Sequence, residues 1–318
     1  MKRAALFAML AALALIIPAA AQEQSLRTGI VDFHSAGKNS GEGKLVVSEL
    51  SAALGRYAFI SLVERSKLGA LVKEMELGQS GLVDEATAAR LGRVHGLQVI
   101  VEGTVSKGGV SARAIHAETA RVLAAASVPS RADIVTLGER LAYGIETFLA
   151  RENLKRLRND SPRIDLCFWM EKRDGGKITG ADGRGTSRIG SSVSLHFRSS
   201  ADGYLTVVDI QPGGEVVLLY PNDFTPSNRI SACRDYSLPS KDDEYEITVT
   251  EPAGEDTVVA FFTKKKVDWL DAKKLRGEGF RTVRDSERLG AARGLSITAT
   301  KLRRDDWESA VLQLEVKR

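Results

Sequence analysis

The chain lacks the features of several large functional classes. Its net charge is only +4, and basic residues are interleaved with acids almost everywhere, so there is no electrostatic footprint for nucleic acid. After the N-terminal residues, no apolar run approaches the length of a transmembrane helix. His34, His95 and His116 stand on different predicted elements, without the spacing of metal ligands. The sequence therefore predicts no nucleic-acid partner, no membrane span in the mature chain, and no metal or other cofactor.

Catalytic motifs are missing as well. The glycine-rich loop 37–44 lies between a predicted strand and a predicted helix, as a phosphate loop would. However, Lys38 stands where the motif needs glycine, and Leu45 stands where Ser or Thr would hold magnesium. Three aspartates of the second half are too widely spread to argue for a carboxylate pair: Asp202, Asp209 and Asp223. We predict that the protein is not an enzyme.

The N-terminus has the pattern of a secretory signal peptide. Lys2 and Arg3 precede an apolar run over residues 4–17, Pro18 breaks it, and Ala21 ends a run of three alanines suited to cleavage. This pattern predicts a periplasmic protein cleaved near Ala21. An uncleaved membrane anchor is the alternative, but the apolar run is short for a bilayer.

Up to residue 158, predicted strands and helices alternate. The predicted strands are 27–33, 57–62, 97–105, 110–116 and 121–128. The predicted helices are 42–54, 65–76, 85–94 and 132–158. The last helix carries one apolar stripe and should pack against the sheet with it: Ile134, Leu137, Leu141, Ile145 and Phe148.

After residue 159 the pattern becomes one of period two, with turn residues between short apolar runs. The predicted strands include 193–197, 204–210, 216–220, 246–250, 257–262, 295–300 and 310–316. Such a series is typical of a β-sandwich. We therefore predict a mixed α/β N-terminal domain followed by an all-β, sandwich-like C-terminal domain. The predicted boundaries are 1–21 for the signal peptide, 22–158 for the first domain and 159–318 for the second.

The first domain resembles a known envelope module. Four motif positions carry the resemblance: residues 63–66 (VERS), Gly78-Gln79, Asp84, and Gly103 at the end of a strand. Over roughly residues 26–149, the chain is similar to the curli-secretion (CsgG-like) family and, more remotely, to the N-terminal domain of TolB. The resemblance implies a role in envelope assembly or secretion. No cysteine near the cleavage site offers the lipidation that is usual in that family, and long membrane hairpins are missing, so channel activity is not implied.

The second domain resembles a bacterial domain family of unknown function over roughly residues 166–267. The sequence segments that carry this resemblance are 199–205 (SSADGYL), 212–214 (PGG), 219–222 (LYPN), 228–230 (NRI) and 251–254 (EPAG). The resemblance implies a β-rich accessory domain without a known activity. The chain departs from the family at Cys233, where glycine is usual.

Two sets of residues are candidate sites. The loop 76–84 holds Leu77, Leu82 and Val83, which either contact a partner protein or pack beneath the neighbouring helices. Cys167 and Cys233 are the only cysteines, in a chain predicted to enter an oxidising compartment. They either form a disulfide or remain two separate buried thiols, since free cysteine is often buried.

Together these features predict a non-enzymatic periplasmic assembly or scaffolding protein with an envelope protein partner. The alternative is a periplasmic regulatory or ligand-sensing protein that binds peptidoglycan or a small molecule.

Overall fold

The computed structural model describes residues 25–31, 33–35, 40–63, 96–157, 159, 163–173, 175–179, 182–284, 287 and 290–318. The predicted signal peptide and the predicted helices 65–76 and 85–94 lie outside these ranges. Within them, no helix combines the length and the apolar character that crossing a bilayer requires.

The N-terminal half is built on one mixed sheet. Its strands are β1 (Leu26–Ile30), β2 (His34–Ser35), β3 (Ile60–Leu62), β4 (Val99–Ser106), β5 (Gly109–His116) and β6 (Val122–Val128). The strand order is β3-β1-β4-β5-β6, with β2 paired to β4 beside this path. Strand β1 runs parallel to β3 and β4, whereas β4, β5 and β6 form an antiparallel meander. The sheet confirms the predicted α/β class and the predicted hairpin of strands 110–116 and 121–128.

Among the described residues, two helices pack on one face of this sheet: α1 (Ser40–Leu54) and α2 (Ile134–Arg156). They pack so closely that a Cβ added at Gly138 of α2 would lie only 2.8 Å from the Cβ of Ala53 in α1. The predicted apolar stripe of α2 is buried or packed against this core, in one cluster with Leu50 of α1 and Val101 of β4. The predicted packing of the long helix on the sheet is therefore confirmed.

The C-terminal half contains two more sheets. The strands of the five-stranded sheet are β7 (Leu166–Lys172), β8 (Lys177–Thr179), β10 (Ser192–Ser199), β14 (Tyr236–Leu238) and β15 (Ile247–Thr248). Those of the eight-stranded sheet are β9 (Asp182–Arg188), β11 (Gly203–Ile210), β12 (Val216–Tyr220), β13 (Arg229–Ile230), β16 (Gly254–Thr263), β17 (Leu275–Arg276), β18 (Arg281–Val283) and β19 (Trp307–Lys317). The orders are β14-β10-β7-β8, with β15 beside β10, and β17-β18-β12-β11-β16-β19-β9, with β13 beside β11.

The alternation of side chains along the strands divides the C-terminal core into two layers. On β11, Leu205 and Val207 face the five-stranded sheet, whereas Val208 and Ile210 face the opposite side. The inner layer joins apolar residues of both sheets, which confirms the predicted sandwich. The outer face of the eight-stranded sheet is also buried, and that second layer was not predicted.

A third helix, α3 (Ala291–Thr300), lies on this outer face, and the predicted strand 295–300 is therefore wrong. The run Leu-Ser-Ile-Thr-Ala-Thr alternates as a strand would. However, Ala292, Leu295 and Ala299 are buried, and their spacing of three and four residues is that of one helical face. Packing of this face against Phe261 and Trp269 stabilises the helix despite its β-branched residues.

Candidate functional site

Helix α2 contributes to the cores of both halves. Leu137 and Leu141 are buried in the N-terminal core, while Ala150 and Leu154 are fully buried in the outer layer of the C-terminal half. Ala150 and Leu154 lie about 180° around the helix axis from the first stripe, so opposite faces of one helix are buried in two different cores. The end of α2, next to the sandwich, is the junction between the two halves. A domain boundary after residue 158 stays a prediction.

A buried arginine lies at this junction. Arg151 of α2 is only 4 % exposed. Its Nη2 donates to the carbonyl of Ile210, at 3.2 Å, and to the carbonyl of Gln211. Burial lowers the pKa of Arg151 and the charge of Glu255 opposes that effect, but a guanidinium remains a cation in proteins. A fixed positive charge is therefore bound to the backbone where β11 ends.

Glu255 at the start of β16 connects the same junction to the N-terminal half. Its carboxylate lies 2.5 Å from Nζ of Lys155 on α2 and accepts a 2.9 Å hydrogen bond from Arg121, which precedes β6. Burial raises the pKa of Glu255, but the hydrogen bond from Lys155 and the nearby positive charges outweigh it and lower the pKa overall. Glu255 is therefore held as a carboxylate between cations from two elements of the first half.

Two backbone features complete the junction. Gly214, in the turn between β11 and β12, has a φ of +86°, and a Cβ there would overlap Tyr143 and Thr147 of α2. Only glycine permits this close approach. Glu146 of α2 accepts a 2.7 Å hydrogen bond from the N–H of Gly290, where α3 begins. Helix α2 thus positions both the turn and the neighbouring helix.

A cavity of about 380 Å³ lies between the two sheets of the sandwich, at the end next to the junction. Its apolar wall comes from both sheets: Met170, Val193, Leu195, Val217, Leu219 and Val258. The exposed members of its lining are Thr248, Thr250 and Glu246, whose side chain is 57 % exposed. These residues mark the mouth of the cavity.

Two aspartates line the interior of this cavity. Asp209 pairs with Val258 across β11 and β16, which makes Asp256 its diagonal neighbour on the same face. Asp209 is 9 % exposed and Asp256 is 8 % exposed. In the part of the chain that the structure describes, Oδ1 of each has no hydrogen-bond partner. The same part contains no group of three or more His, Cys, Asp or Glu residues that could hold a metal ion.

Burial changes the ionisation of both carboxyls. It raises the pKa of Asp209 well above its usual range, and the charge of Asp256 adds to this effect while Arg151 opposes it. Burial also raises the pKa of Asp256 to about 7, again opposed by Arg151. The interior of the cavity therefore holds two carboxyl groups that are easily protonated near neutral pH.

This ionisation predicts a pH-dependent effect of Asp256→Asn on stability. An unfolded aspartate has a pKa of about 3.9, so between about pH 3.9 and about pH 7 the folded chain keeps a proton that the unfolded chain has lost. The stability that this proton contributes is complete below about pH 3.9 and is lost as the pH rises through about 7. Asp256→Asn has no such proton to lose. We therefore expect its free energy of unfolding, relative to that of the wild type, to increase as the pH rises from about 5 to about 8.

Urea denaturation of both proteins at the two pH values measures this gain. The comparison of variant with wild type removes the contributions of titrating groups that do not interact with Asp256. Asp242→Asn, at an exposed aspartate, is the matched control and should show a constant difference. An equally constant difference for Asp256→Asn would contradict the prediction.

The candidate residues from the sequence stand apart from this junction. Leu77, Leu82 and Val83 lie outside the described residues, so their role in partner binding stays a prediction. Cys167 and Cys233 are exposed free thiols, which contradicts the alternative of two buried side chains. The sequence analysis did not identify Arg151 or Asp256, and it left Asp209 without a partner.

The two thiols lie on opposite sides of β10. Cys167 is on β7, and the N–H of Ser200 points to the same side, where it donates to Asp165. The preceding carbonyl, of Ser199, points to the other side and accepts a 2.7 Å hydrogen bond from the N–H of Cys233. The Cα atoms are therefore about two strand spacings apart, roughly 10 Å. A disulfide requires less than about 7 Å, so the loop with Cys233 would have to move.

We expect two free thiols in protein purified from the periplasm. Mass spectrometry of non-reduced peptides, after alkylation of the folded protein, should find both Cys167 and Cys233 labelled because both are exposed. Recovery of a peptide linked through these two residues would show instead that the loop moves and that the predicted bridge forms.

Comparison with known families matches both halves of the chain. Residues 22–114 match the family model of the curli production assembly/transport component CsgG, and residues 186–266 match that of a domain of unknown function (DUF4384). The chain therefore combines a CsgG-like module with a C-terminal domain of unknown function, which confirms both resemblances. Among curated proteins, no match is found.

Several solved structures are similar to part of the chain. The LpoB C-terminal domain from Salmonella enterica is 17% identical, covers 33% of this chain and 82% of its own, and gives a TM-score of 0.26. The lipoprotein GNA1162 from Neisseria meningitidis is 17% identical, with 32% and 77% covered and a TM-score of 0.26. The PelC dodecamer from Paraburkholderia phytofirmans is 11% identical, with 40% and 88% covered and a TM-score of 0.24. At these TM-scores, none of the three bears on function.

Proposed function

We propose that this chain is a non-enzymatic assembly or scaffolding protein of the bacterial periplasm, accessory to secretion or to the assembly of a surface structure. The observation that carries the proposal is the match of residues 22–114 to the family of the curli production assembly/transport component CsgG. The signal-peptide pattern that ends at Ala21 supports the periplasmic location. We propose that it acts without forming a pore itself, because its sequence lacks the long membrane hairpins of a channel.

The junction gives this proposal a physical basis. A scaffold must hold two binding surfaces in a defined relative position. Helix α2 is buried in both cores, and Arg151 and Glu255 add charged hydrogen bonds between the halves. Charged hydrogen bonds are stronger and more directional than neutral ones. Partners on the CsgG-like module and on the sandwich would therefore be held at a fixed separation.

Partner capture tests the proposal. Tagged protein from detergent-solubilised envelope should co-purify with a stable envelope protein. Leu82→Asp combined with Val83→Asp should reduce recovery of that partner at least about tenfold without lowering the melting temperature. The reason is that each apolar side chain buried at an interface contributes about 1.5–3 kcal/mol, and about 1.4 kcal/mol is a factor of ten in affinity.

Leu45→Asp is the matched control, because Leu45 on α1 is 51% exposed and the substitution is of the same kind. Its recovery of partner should equal that of the wild type. A large loss of melting temperature with unchanged capture would place Leu82 and Val83 in the core. Failure of the wild-type protein to retain any envelope protein would overturn the scaffolding proposal.

A periplasmic regulatory or ligand-sensing role is the second candidate function. The observation that favours it is the position of the cavity. Asp209 lines the cavity, while the carbonyls of the next two residues bind Arg151 at the junction. A ligand in the cavity would therefore lie beside the contact between the two halves. A melting temperature that rises with peptidoglycan fragments, without a stable protein partner, would support this function over scaffolding.

A further inference from the structure

The cavity between the two sheets has the size and wall of a ligand site. Its volume of about 380 Å³ falls in the range of about 300–1,000 Å³ that is usual for small-molecule sites. The wall is mainly aliphatic, and polar groups are concentrated at the mouth and at the two aspartates. An apolar cavity with a few convergent polar groups is the usual arrangement for binding a small molecule.

Hydrogen bonds within the described residues do not fully account for the burial of the two aspartates. Both are more than nine-tenths buried, and Oδ1 of each lacks a hydrogen-bond partner within the described residues. A buried polar group without a partner costs about 1–3 kcal/mol, and more if it is charged. Two such groups on neighbouring strands, lining the same cavity, indicate that a bound group supplies the missing interactions.

The charges around the cavity determine the sign of that group. Four acidic residues line it: Asp209, Glu215, Glu246 and Asp256. No Lys, Arg or His of the described chain lines it. At the mouth, Arg173 pairs with Glu246 at 2.7 Å and Arg276 lies 3.8 Å from Glu215. Arg151 lies on α2, outside the sandwich, and is bound to backbone carbonyls. The charged side chains that line the cavity are therefore all acidic, which favours a cation over an anion.

We propose that this cavity binds a small organic cation, with a protonated amine between Asp209 and Asp256 and an apolar body against the aliphatic wall. An ammonium group has three hydrogen-bond donors and no acceptor, which suits two carboxylates with free oxygens. The apolar body gains the free energy of leaving water. This inference goes beyond the scaffolding role and does not depend on it, because the cavity lies inside the second domain.

The proposal makes binding dependent on pH. Binding of a cation requires ionised carboxyls, whereas burial favours their protonated form. The charged groups around the pair are Arg151 and Glu255 on the side of the junction and Glu215 and Glu246 at the mouth. Because the pKa of Asp256 is about 7, affinity for an amine should rise between about pH 5.5 and about pH 8.

Titration calorimetry of the full mature protein with three probes of equal length tests this proposal. Hexylamine stays protonated at both pH values, 1-hexanol is neutral and hexanoate is an anion. We expect hexylamine to bind at least about tenfold more tightly at about pH 8 than at about pH 5.5, and more tightly than either other probe at about pH 8. Asp256→Asn and Asp209→Asn should each lose about tenfold or more in this affinity, and Asp242→Asn should lose none.

Three results would overturn the proposal. One is the absence of saturable hexylamine binding by the wild-type protein. Another is equal affinity for hexylamine and 1-hexanol at about pH 8, which would mean that the cavity selects only an apolar body. The third is preferred binding of hexanoate, which would mean that protonated aspartates donate to an acceptor. Each of these uses the wild-type chain, so a folding defect of the variants would not affect it.

Discussion

Replacing Arg151 with alanine is expected to lower the free energy of unfolding by about 3 kcal/mol or more. The guanidinium is almost fully buried and donates to two backbone carbonyls at the end of β11. Hydrogen bonds from a charged donor each contribute about 1.5–3 kcal/mol, and removing one partner of a buried charged network leaves the others unpaired. Equilibrium denaturation in urea measures the loss.

Two further variants identify the cause of that loss. Arg156→Ala, at an exposed position on the same helix, should change stability by no more than about 0.5 kcal/mol. Arg151→Met keeps the apolar stem and removes the charge, so it separates packing from hydrogen bonding. If Arg151→Ala destabilised the protein no more than Arg156→Ala does, the junction would contribute nothing measurable to stability.

The same substitution should shift the titration of the cavity. Arg151 lowers the pKa of both Asp209 and Asp256, although burial outweighs it. Without that positive charge, both carboxyls should hold their protons to higher pH. The junction and the cavity are therefore linked electrostatically.

Several parts of the fold could be predicted from sequence because one face of each element is buried. The strand predicted over 216–220 matches β12, since its apolar run ends at turn residues on both sides. The stripe on α2 also identified its packing face. What this stripe did not reveal is that the opposite face of α2 is buried in a second core. Ala150 and Leu154 lie about 180° around the helix axis from the stripe, at about 100° per residue. The same side of the helix carries Glu146 and Arg151, and charged residues are seldom buried, so the sequence did not mark that side as a packing face.

The carboxyl pair was missed for a related reason. Asp209 and Asp256 are neighbours only because β11 pairs with β16 in one particular register. A single sequence does not define that register, since the strands are 44 or more residues apart in the chain. A local signal existed nevertheless: Asp209 stands inside an apolar strand, and Asp256 falls on the buried face of β16 in phase with Val258. A charged residue in phase with a buried face is a reason to look for a site.

The second large effect concerns where the C-terminal half begins. A boundary after residue 158 predicts that the fragment 159–318 folds alone. The contacts of α2 predict that it does not. Without α2 the outer layer loses Ala150 and Leu154, both fully buried, and the carbonyls at the end of β11 lose Arg151. Removing a buried leucine side chain alone costs about 2–5 kcal/mol, and a whole domain is stable by only about 5–15 kcal/mol.

We therefore expect the fragment 159–318 to bind a hydrophobic dye and to melt without a cooperative transition, and the fragment 143–318 to melt cooperatively. The longer fragment keeps the second half of α2, including Glu146, whose carboxylate accepts from the N–H at the start of α3. Leu154→Ala in the full chain provides a milder version of the same test and should lower stability by about 2–5 kcal/mol. A cooperative transition in 159–318 at the melting temperature of 143–318 would show that the sandwich is complete without the helix. In that case α2 would only connect the two halves, and its contacts with the sandwich, including those of Arg151, would not contribute to the stability of the sandwich.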